Sequence, residues 1–102
     1  MNCSEIIYAM LKRRAWTQAR LSEAMGYSSP GTMSNKLRNG SMSVKVFSNI
    51  VAVLDFQISI HPIGAPEKTV DIARFGGTDL TMKTLFEVMD ILGYEMSFFP
   101  EL

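Results

Sequence analysis

The stretch TQARLSEAMGYSSPGTMSNKLRNG, residues 17–40, decides the fold that we predict for this chain. Thr17 is a good N-cap for a helix, and Gly26 can end that helix because glycine readily takes the left-handed conformation. Ser29 can cap a second helix, with a proline in its first turn, where proline is tolerated. An Asn-Gly pair then gives a typical helix end. The sequence therefore predicts two short helices joined by a tight turn.

The second of these helices has few large apolar side chains. Met33 and Leu37, four residues apart, suffice for one narrow buried stripe. The other positions carry small, hydrogen-bonding or cationic side chains. Short donors and acceptors, an amide and long cations suit base edges and phosphates of DNA. An ordinary solvated face is the plainer interpretation.

Two further helices are predicted around this pair. Asn2 and Glu5 form a capping-box pattern for a helix over residues 3–14. Ser43 can cap a helix over residues 43–54 that carries an apolar stripe. The first half of the chain is thus predicted to consist of four consecutive helices.

After residue 55 the apolar period changes from 3.6 to 2, which indicates strands. The predicted elements are a strand over 56–61, a strand over 69–75, a helix over 81–92 and a strand over 94–99. We therefore expect a mainly α protein with a small antiparallel β appendage. Its helical domain would cover residues 1–55, and a strand–strand–helix–strand unit would cover residues 56–102.

Part of the chain is repeated. Residues 41–62 align without gaps to residues 79–100 at an offset of 38. The identical pairs include Lys45 and Lys83, Leu54 and Leu92, Ser59 and Ser97, and Pro62 and Pro100. The repeated unit is a helix, a tight turn and a strand, and we interpret it as a duplication; coincidence between two short amphipathic units is the alternative.

The net charge of zero conceals two opposite halves. Residues 1–50 carry seven basic and two acidic residues, a net charge of +5. Residues 51–102 carry three basic and eight acidic residues, a net charge of −5. This split suggests that one half meets a polyanion while the other half does something else. Two solvated faces of different sign are the alternative interpretation.

Residues that could support catalysis are scarce. Cys3 is the only cysteine, which excludes an intrachain disulfide and any multi-cysteine metal site. His61 is the only histidine and falls at a predicted strand end. Gly76 and Gly77 lack the Lys-Ser/Thr pair of a phosphate-binding loop. We therefore expect that the protein is not an enzyme and binds no cofactor.

The chain also gives no sign of a membrane or export signal. No apolar run approaches the roughly 18 residues that would span a bilayer. Glu5 falls where a signal peptide would carry its basic region. We therefore expect a cytoplasmic protein.

Residues 6–54 resemble the Cro/repressor-type (XRE-like) helix-turn-helix DNA-binding domain. The resemblance is carried by Thr17-Gln18, Leu21, Gly26, Thr32-Met33-Ser34, Leu37, Asn39-Gly40 and the apolar helix 43–54. It implies a repressor-like four-helix bundle whose third helix enters the major groove of DNA. The second helix would lie across that groove and be held to the backbone by its N-terminus.

The resemblance also assigns site residues by their position in the motif. The residues that would face bases are Ser29, Thr32, Asn35 and Lys36. The residues that would meet phosphates are Thr17, Gln18, Arg20, Arg38 and Lys45. Arg20 opposes the dipole of its helix, which suggests an external anion as its partner. At the end of the first helix, Lys12, Arg13 and Arg14 are expected instead to complement the helix dipole.

Proteins of this family usually bind DNA as dimers, and the second half is richer in apolar residues than a private core needs. We expect a homodimer whose interface includes Phe86, Met89, Met96 and Phe98. A private core of the appendage is the alternative use of these residues.

The leading hypothesis is a sequence-specific, repressor-type transcriptional regulator. One alternative is an antitoxin-type regulator whose C-terminal half binds a toxin. The other is a protein-interaction module that has the same scaffold but does not bind DNA. The Pro30-Gly31 start of the third helix departs from the family pattern and favours this last alternative.

Overall fold

The fold is seen in a computed structural model that describes residues 2–39, 42–65, 67–77 and 79–102. Its elements are α1 (Cys3–Arg14), α2 (Gln18–Ala24), α3 (Pro30–Asn39), α4 (Val44–Val53), β1 (Gln57–Pro62), β2 (Val70–Asp71), a 3₁₀ helix (Ile72–Phe75), α5 (Met82–Leu92) and β3 (Tyr94–Phe99). The predicted class, mainly helical with a small three-stranded antiparallel sheet, is confirmed. In the described ranges no helix is long and apolar enough to cross a membrane.

Local signals in the sequence set the helix ends. The side-chain oxygens of Asn2, Thr17 and Ser43 each accept a hydrogen bond from the backbone N–H three residues later, at 2.9–3.1 Å. Each such cap contributes about 1 kcal/mol to helix stability. Gly26 follows α2 with φ +78°, the left-handed conformation that glycine adopts without strain. The predicted boundaries of α1, α2 and α4 are confirmed to within about two residues.

One continuous apolar core runs through both halves of the chain. Its fully buried side chains include Ile6, Ile7, Met10, Leu21, Met33, Phe47, Ile50, Leu54, Ile58, Ile72 and Met82. The expected boundary at residue 55 lies in the turn between α4 and β1, and the apolar core extends to both sides of it.

The second predicted strand is much shorter than the pattern indicated. Val70 and Asp71 pair with β1, but the chain then turns into the 3₁₀ helix, so the strand prediction is wrong beyond residue 71. The Asp71 carboxylate accepts a hydrogen bond from the Ala73 N–H at 2.8 Å and so caps this turn. Aspartate is a poor strand former and a good helix cap, and this preference decided the local structure.

The predicted helix–turn–strand unit occurs twice. α4 and β1 form the first copy, and α5 and β3 form the second. Asp55 and Gly93, equivalent at the offset of 38, both have left-handed φ angles, +60° and +69°, in the turn between helix and strand. Ser59 and Ser97, also equivalent, face each other at the centre of the antiparallel β1–β3 ladder. The two copies therefore pair about a local two-fold axis.

The segments before the two helices follow the same symmetry. The N-caps Ser43 and Thr81 form an antiparallel bridge. The N–H at the start of each helix donates to the carbonyl that precedes the other helix, at 2.9 and 2.8 Å. The two donor–acceptor pairs are Val44 with Leu80 and Met82 with Met42. The same local two-fold axis therefore relates the two copies of the unit both at their N-terminal segments and at their strands.

Arg14 connects the end of α1 to the turn between α4 and β1. Its Nε donates to the Leu54 carbonyl at 2.9 Å, and its Nη2 donates to the Asp55 carbonyl at 2.7 Å. The guanidinium also lies 4.6 Å from the centroid of the Phe56 ring. This cation is therefore engaged within the protein, whereas Arg13 is exposed.

We expect Arg14→Met to lower the free energy of unfolding by about 1–3 kcal/mol, because two carbonyls lose a charged donor. Urea denaturation followed by circular dichroism measures the change. Arg13→Met is the matched control and should stay within about 0.5 kcal/mol of the wild type. Equal losses in the two variants would contradict the role given to Arg14.

Candidate nucleic-acid interface

α3 has one buried face and one exposed face. Met33 is 0% exposed and Leu37 is 3% exposed, so these two side chains attach the helix to the core. Successive helical residues are rotated by about 100°, which places Asn35 at the centre of the opposite face. Gly31 and Arg38 lie beside it, and all three are exposed. The helix therefore presents an amide and a cation to solvent.

The four predicted base-facing residues lie on one side of α3. Thr32 and Lys36 are half-buried on the flank of the exposed face. The Lys36 ammonium lies 5.6 Å from the centroid of the Tyr27 ring, which restricts where this long side chain can point. Ser29 precedes the helix, and its hydroxyl accepts a hydrogen bond from the Gly31 N–H at 3.3 Å. With Asn35, these residues span about a third of the helix circumference.

The N-terminus of α2 is fixed against α3. The Gln18 side-chain amide donates to the Ser34 hydroxyl at 2.7 Å. One of its two N–H groups is therefore engaged within the protein rather than free for a phosphate. The Thr17 hydroxyl accepts from the Arg20 N–H at 3.1 Å. The bond between Gln18 and Ser34 brings the predicted phosphate residues of α2 next to the predicted base-facing helix.

Arg20 has an internal partner that was not expected from the sequence. Its guanidinium lies 4.1 Å from the centroid of the Trp16 ring. This contact offsets the unfavourable position of a cation in the first turn of a helix. The spacing of four residues between Trp16 and Arg20 is the signal that could have revealed it. Because stacking uses the face of the guanidinium, its in-plane N–H groups stay available to an anion.

The other two predicted phosphate residues lie on different helices. Arg38 is exposed in the last turn of α3. Lys45 is exposed in the first turn of α4, and Gly76 packs near its backbone. Arg38 therefore lies on α3 itself, Thr17, Gln18 and Arg20 lie at the start of the neighbouring α2, and Lys45 lies at the start of α4.

The four predicted interface residues of the second half are partly used inside the chain. Met89 is buried, and Phe86, Met96 and Phe98 are half-buried against the core. Together with Ile6 of α1 they line an open groove between α5 and β3. The large apolar side chains that are exposed in this half are Ile63, Val88, Ile91, Leu92, Phe99 and Leu102.

His61 and Cys3 both have structural surroundings. The Nε2 of His61, a buried residue, lies 2.8 Å from the Ser97 hydroxyl, and its Nδ1 lies 3.0 Å from the Pro62 carbonyl. The Glu95 carboxylate is 3.8 Å from Nδ1, beyond hydrogen-bond distance. Burial raises the pKa of the Cys3 thiol, which keeps it protonated and unreactive. Among the described residues, no group of three His, Cys, Asp or Glu side chains could hold a metal ion.

No family model, curated protein or solved structure matches this chain. The features of the chain that bear on its function are the geometry of α2 and α3 and the uneven distribution of charge between the two halves.

Proposed function

We propose that this protein is a sequence-specific DNA-binding transcriptional regulator of repressor type, in which α1–α4 form a helix-turn-helix bundle. The observation that carries the proposal is the division of α3. Met33 and Leu37 are buried on one side, and Asn35 stands at the centre of the exposed side with Thr32 and Lys36 beside it. A helix of this kind fits the major groove, where base edges present donors, acceptors and methyl groups.

Each side chain of this face suits a particular base contact. The Asn35 amide can make a bidentate contact with the N6 and N7 atoms of adenine. The Lys36 ammonium can donate to the O6 and N7 atoms of guanine, and the Thr32 methyl group can pack on the methyl of thymine. The three contacts together would define a short half-site.

Cations around this face supply the sequence-independent part of binding. Arg38 lies on α3, Arg20 lies on the neighbouring α2, and Lys45 offers a third cation on α4. Phosphate contacts of this type fix the register of the protein on the duplex without reading sequence. The acidic second half would be repelled by DNA, so the duplex meets only the basic half. Occupancy of a promoter by the bound protein would exclude polymerase. A regulator of this kind acts in the cytoplasm.

The test is binding to a fluorescent mixed-sequence duplex, measured by anisotropy across a salt series. Three phosphate contacts would give a slope of about −2.7 in log affinity against log salt for each protomer. Arg38→Ala should reduce the slope by about one contact, since it removes one cation. Lys68→Ala, an exposed lysine of the acidic half, is the control and should leave the slope unchanged. Absence of binding at low salt would contradict the proposal.

One observation favours a second candidate function, an antitoxin-type regulator or another module that binds a protein. Ile63, Ile91 and Leu92 are 65%, 82% and 63% exposed. The Ile63 N–H donates to the Gly93 carbonyl at 2.8 Å, so the backbone of Ile63 lies beside the C-terminal end of α5, the helix that carries Ile91 and Leu92. Contiguous exposed apolar residues mark interaction sites. If the duplex does not bind, a scaffold that binds protein but not DNA becomes the better hypothesis.

A further inference from the structure

β3 lies at the edge of the sheet, whose strand order is β2–β1–β3. The Ile63 N–H donates to the Gly93 carbonyl, which shows that the backbone of Gly93 faces β1. In an antiparallel ladder, alternate residues face the same neighbour. Residues 95, 97 and 99 therefore also bond to β1, and the N–H and C=O groups of Tyr94, Met96 and Phe98 point to the open edge.

The local two-fold axis relates this open edge of β3 to an edge of β1 that is covered. Ile58 and Ile60 of β1 are equivalent to Met96 and Phe98 of β3 at the offset of 38. The outward edge of β1 is covered, because Val70 of β2 lies opposite Ile60. The equivalent edge of β3 has no such strand among the described residues.

β3 also lacks the devices that protect edge strands. Such strands usually carry lysine, proline or a bulge that prevents pairing with another chain. The six residues of β3 contain no lysine or proline, and their pairing with β1 is continuous. Glu95 is the single charged residue, and half of its side chain is exposed. Aromatic residues, which favour strands, make up half of the segment.

We infer that β3 pairs with β3 of a second copy of this chain in a two-fold symmetric, antiparallel ladder centred on Met96. Only outward-facing residues can exchange hydrogen bonds across the new edge. With Met96 opposite Met96, Tyr94 lies opposite Phe98, and all three outward residues of each strand are paired. The ladder then contains six new hydrogen bonds, two for each of its three residue pairs.

Other registers satisfy fewer groups. A ladder centred on Glu95 or Ser97 would pair only two of the three outward-facing residues of each strand, because the third would lie opposite a residue beyond the end of β3, and so would give four hydrogen bonds instead of six. Ladders centred on Tyr94 or Phe98 would leave most of the strand without a partner. The Met96 register also suits the charges, because Glu95 lies opposite the partner's Ser97 rather than opposite a second carboxylate. The geometry thus favours one self-complementary register.

This register completes the partly covered apolar surface beside β3. Tyr94, Met96 and Phe98 lie on one face of the strand and line the groove next to Ile6 and Phe86. Phe99 is 74% exposed. An aromatic side chain can bury roughly 150–250 Å², and about half of that remains for the half-buried Tyr94 and Phe98; with Met96, Phe99 and the strand backbone, the area is on the order of 500 Å² per copy. Two copies reach the roughly 1,000 Å² that a specific interface needs.

The inference goes beyond DNA binding, and its first test is made without DNA. Analytical ultracentrifugation of the wild-type chain should give about twice the 11.4 kDa mass of one chain. Amide hydrogen exchange should show protection at Tyr94, Met96 and Phe98, which is lost on dilution to the monomer. Protection at Glu95, Ser97 and Phe99 should persist, because these amides bond to β1. A monomer at 100 µM, or a dimer with unprotected edge amides, would overturn the inference.

Disulfide cross-linking tests the register itself. In Met96→Cys the two Cα atoms would be about 5.5 Å apart across the axis, within the range that a disulfide requires. Oxidation should therefore give a covalent dimer. Ser97→Cys is the matched control: the two copies of residue 97 would lie diagonally, roughly 7–8 Å apart, and should cross-link poorly. Cys3 is buried and common to both variants. Cross-linking of the Ser97 variant alone would overturn the register. If Met96→Cys cross-links, Ser97→Cys does not and the protein fails to bind DNA, the proposed function is wrong but the dimer inference stands.

Discussion

The double substitution Asn35→Ala/Lys36→Ala is expected to weaken binding to a selected operator by about 30-fold or more and to remove sequence preference at the contacted bases. Each well-placed contact to a base edge is worth about 1–3 kcal/mol of discrimination, and about 1.4 kcal/mol corresponds to a tenfold change in affinity. Asn35 is exposed and Lys36 is half-buried. The unfolding free energy should therefore change by less than about 1 kcal/mol.

The control for this experiment is Asn49→Ala/Lys68→Ala. It removes the same two residue types from exposed positions outside α3. Fluorescence anisotropy should give wild-type affinity for the control and a large loss for the test variant, with both unfolding cooperatively. Wild-type operator binding by a folded Asn35→Ala/Lys36→Ala variant would show that another surface contacts the bases.

Met33→Ala should have the largest effect on stability, a loss of about 2–5 kcal/mol. Met33 is 0% exposed, and truncating a buried methionine removes apolar contacts and leaves a cavity. Besides Met33, α3 is held by Leu37, which is buried one turn later, by the Ser4 hydroxyl, which donates to the Leu37 carbonyl, and by the Gln18 amide, which donates to the Ser34 hydroxyl. We therefore expect DNA binding to fall together with stability.

Urea denaturation measures this loss, and Met25→Ala provides the comparison. Met25 is a half-buried methionine that follows α2, so its truncation should cost clearly less than that of Met33. A loss below about 1 kcal/mol for Met33→Ala would mean that α3 is held by other contacts. The measurement thus tests whether a narrow apolar stripe is sufficient to hold this helix.

The elements of the fold could be predicted from sequence because their signals are local. The caps Asn2, Thr17 and Ser43 each act within one helical turn, and the alternating apolar pattern after residue 55 marked β1 and β3 correctly. The failure at Asp71 was also local: a side-chain cap competed with an apolar alternation and prevailed. The existence and order of the α-helices and strands could therefore be predicted from the sequence, but the length of a weak strand could not.

Contacts between residues that are distant in the sequence could not be predicted. Gln18 and Ser34 are 16 positions apart, and Arg14 and Leu54 are 40 positions apart. Nothing in a local pattern shows which donor will meet which carbonyl at such separations. The sequence could nominate Asn35 and Lys36 by residue type and position in the helix. It could not show that Trp16 supports the Arg20 guanidinium.

The local two-fold axis makes the two helix–turn–strand units, α4–β1 and α5–β3, resemble a dimer whose subunits are joined by a linker. The two units need not associate from dilute solution, because residues 63–80 keep them at an effective concentration in the millimolar range. Weak mutual contacts are therefore enough to hold them together. Each unit can therefore accumulate substitutions that would separate two unlinked subunits. The two units can then differ at their outer strand edges, so that the edge of β1 is covered while the edge of β3 is exposed.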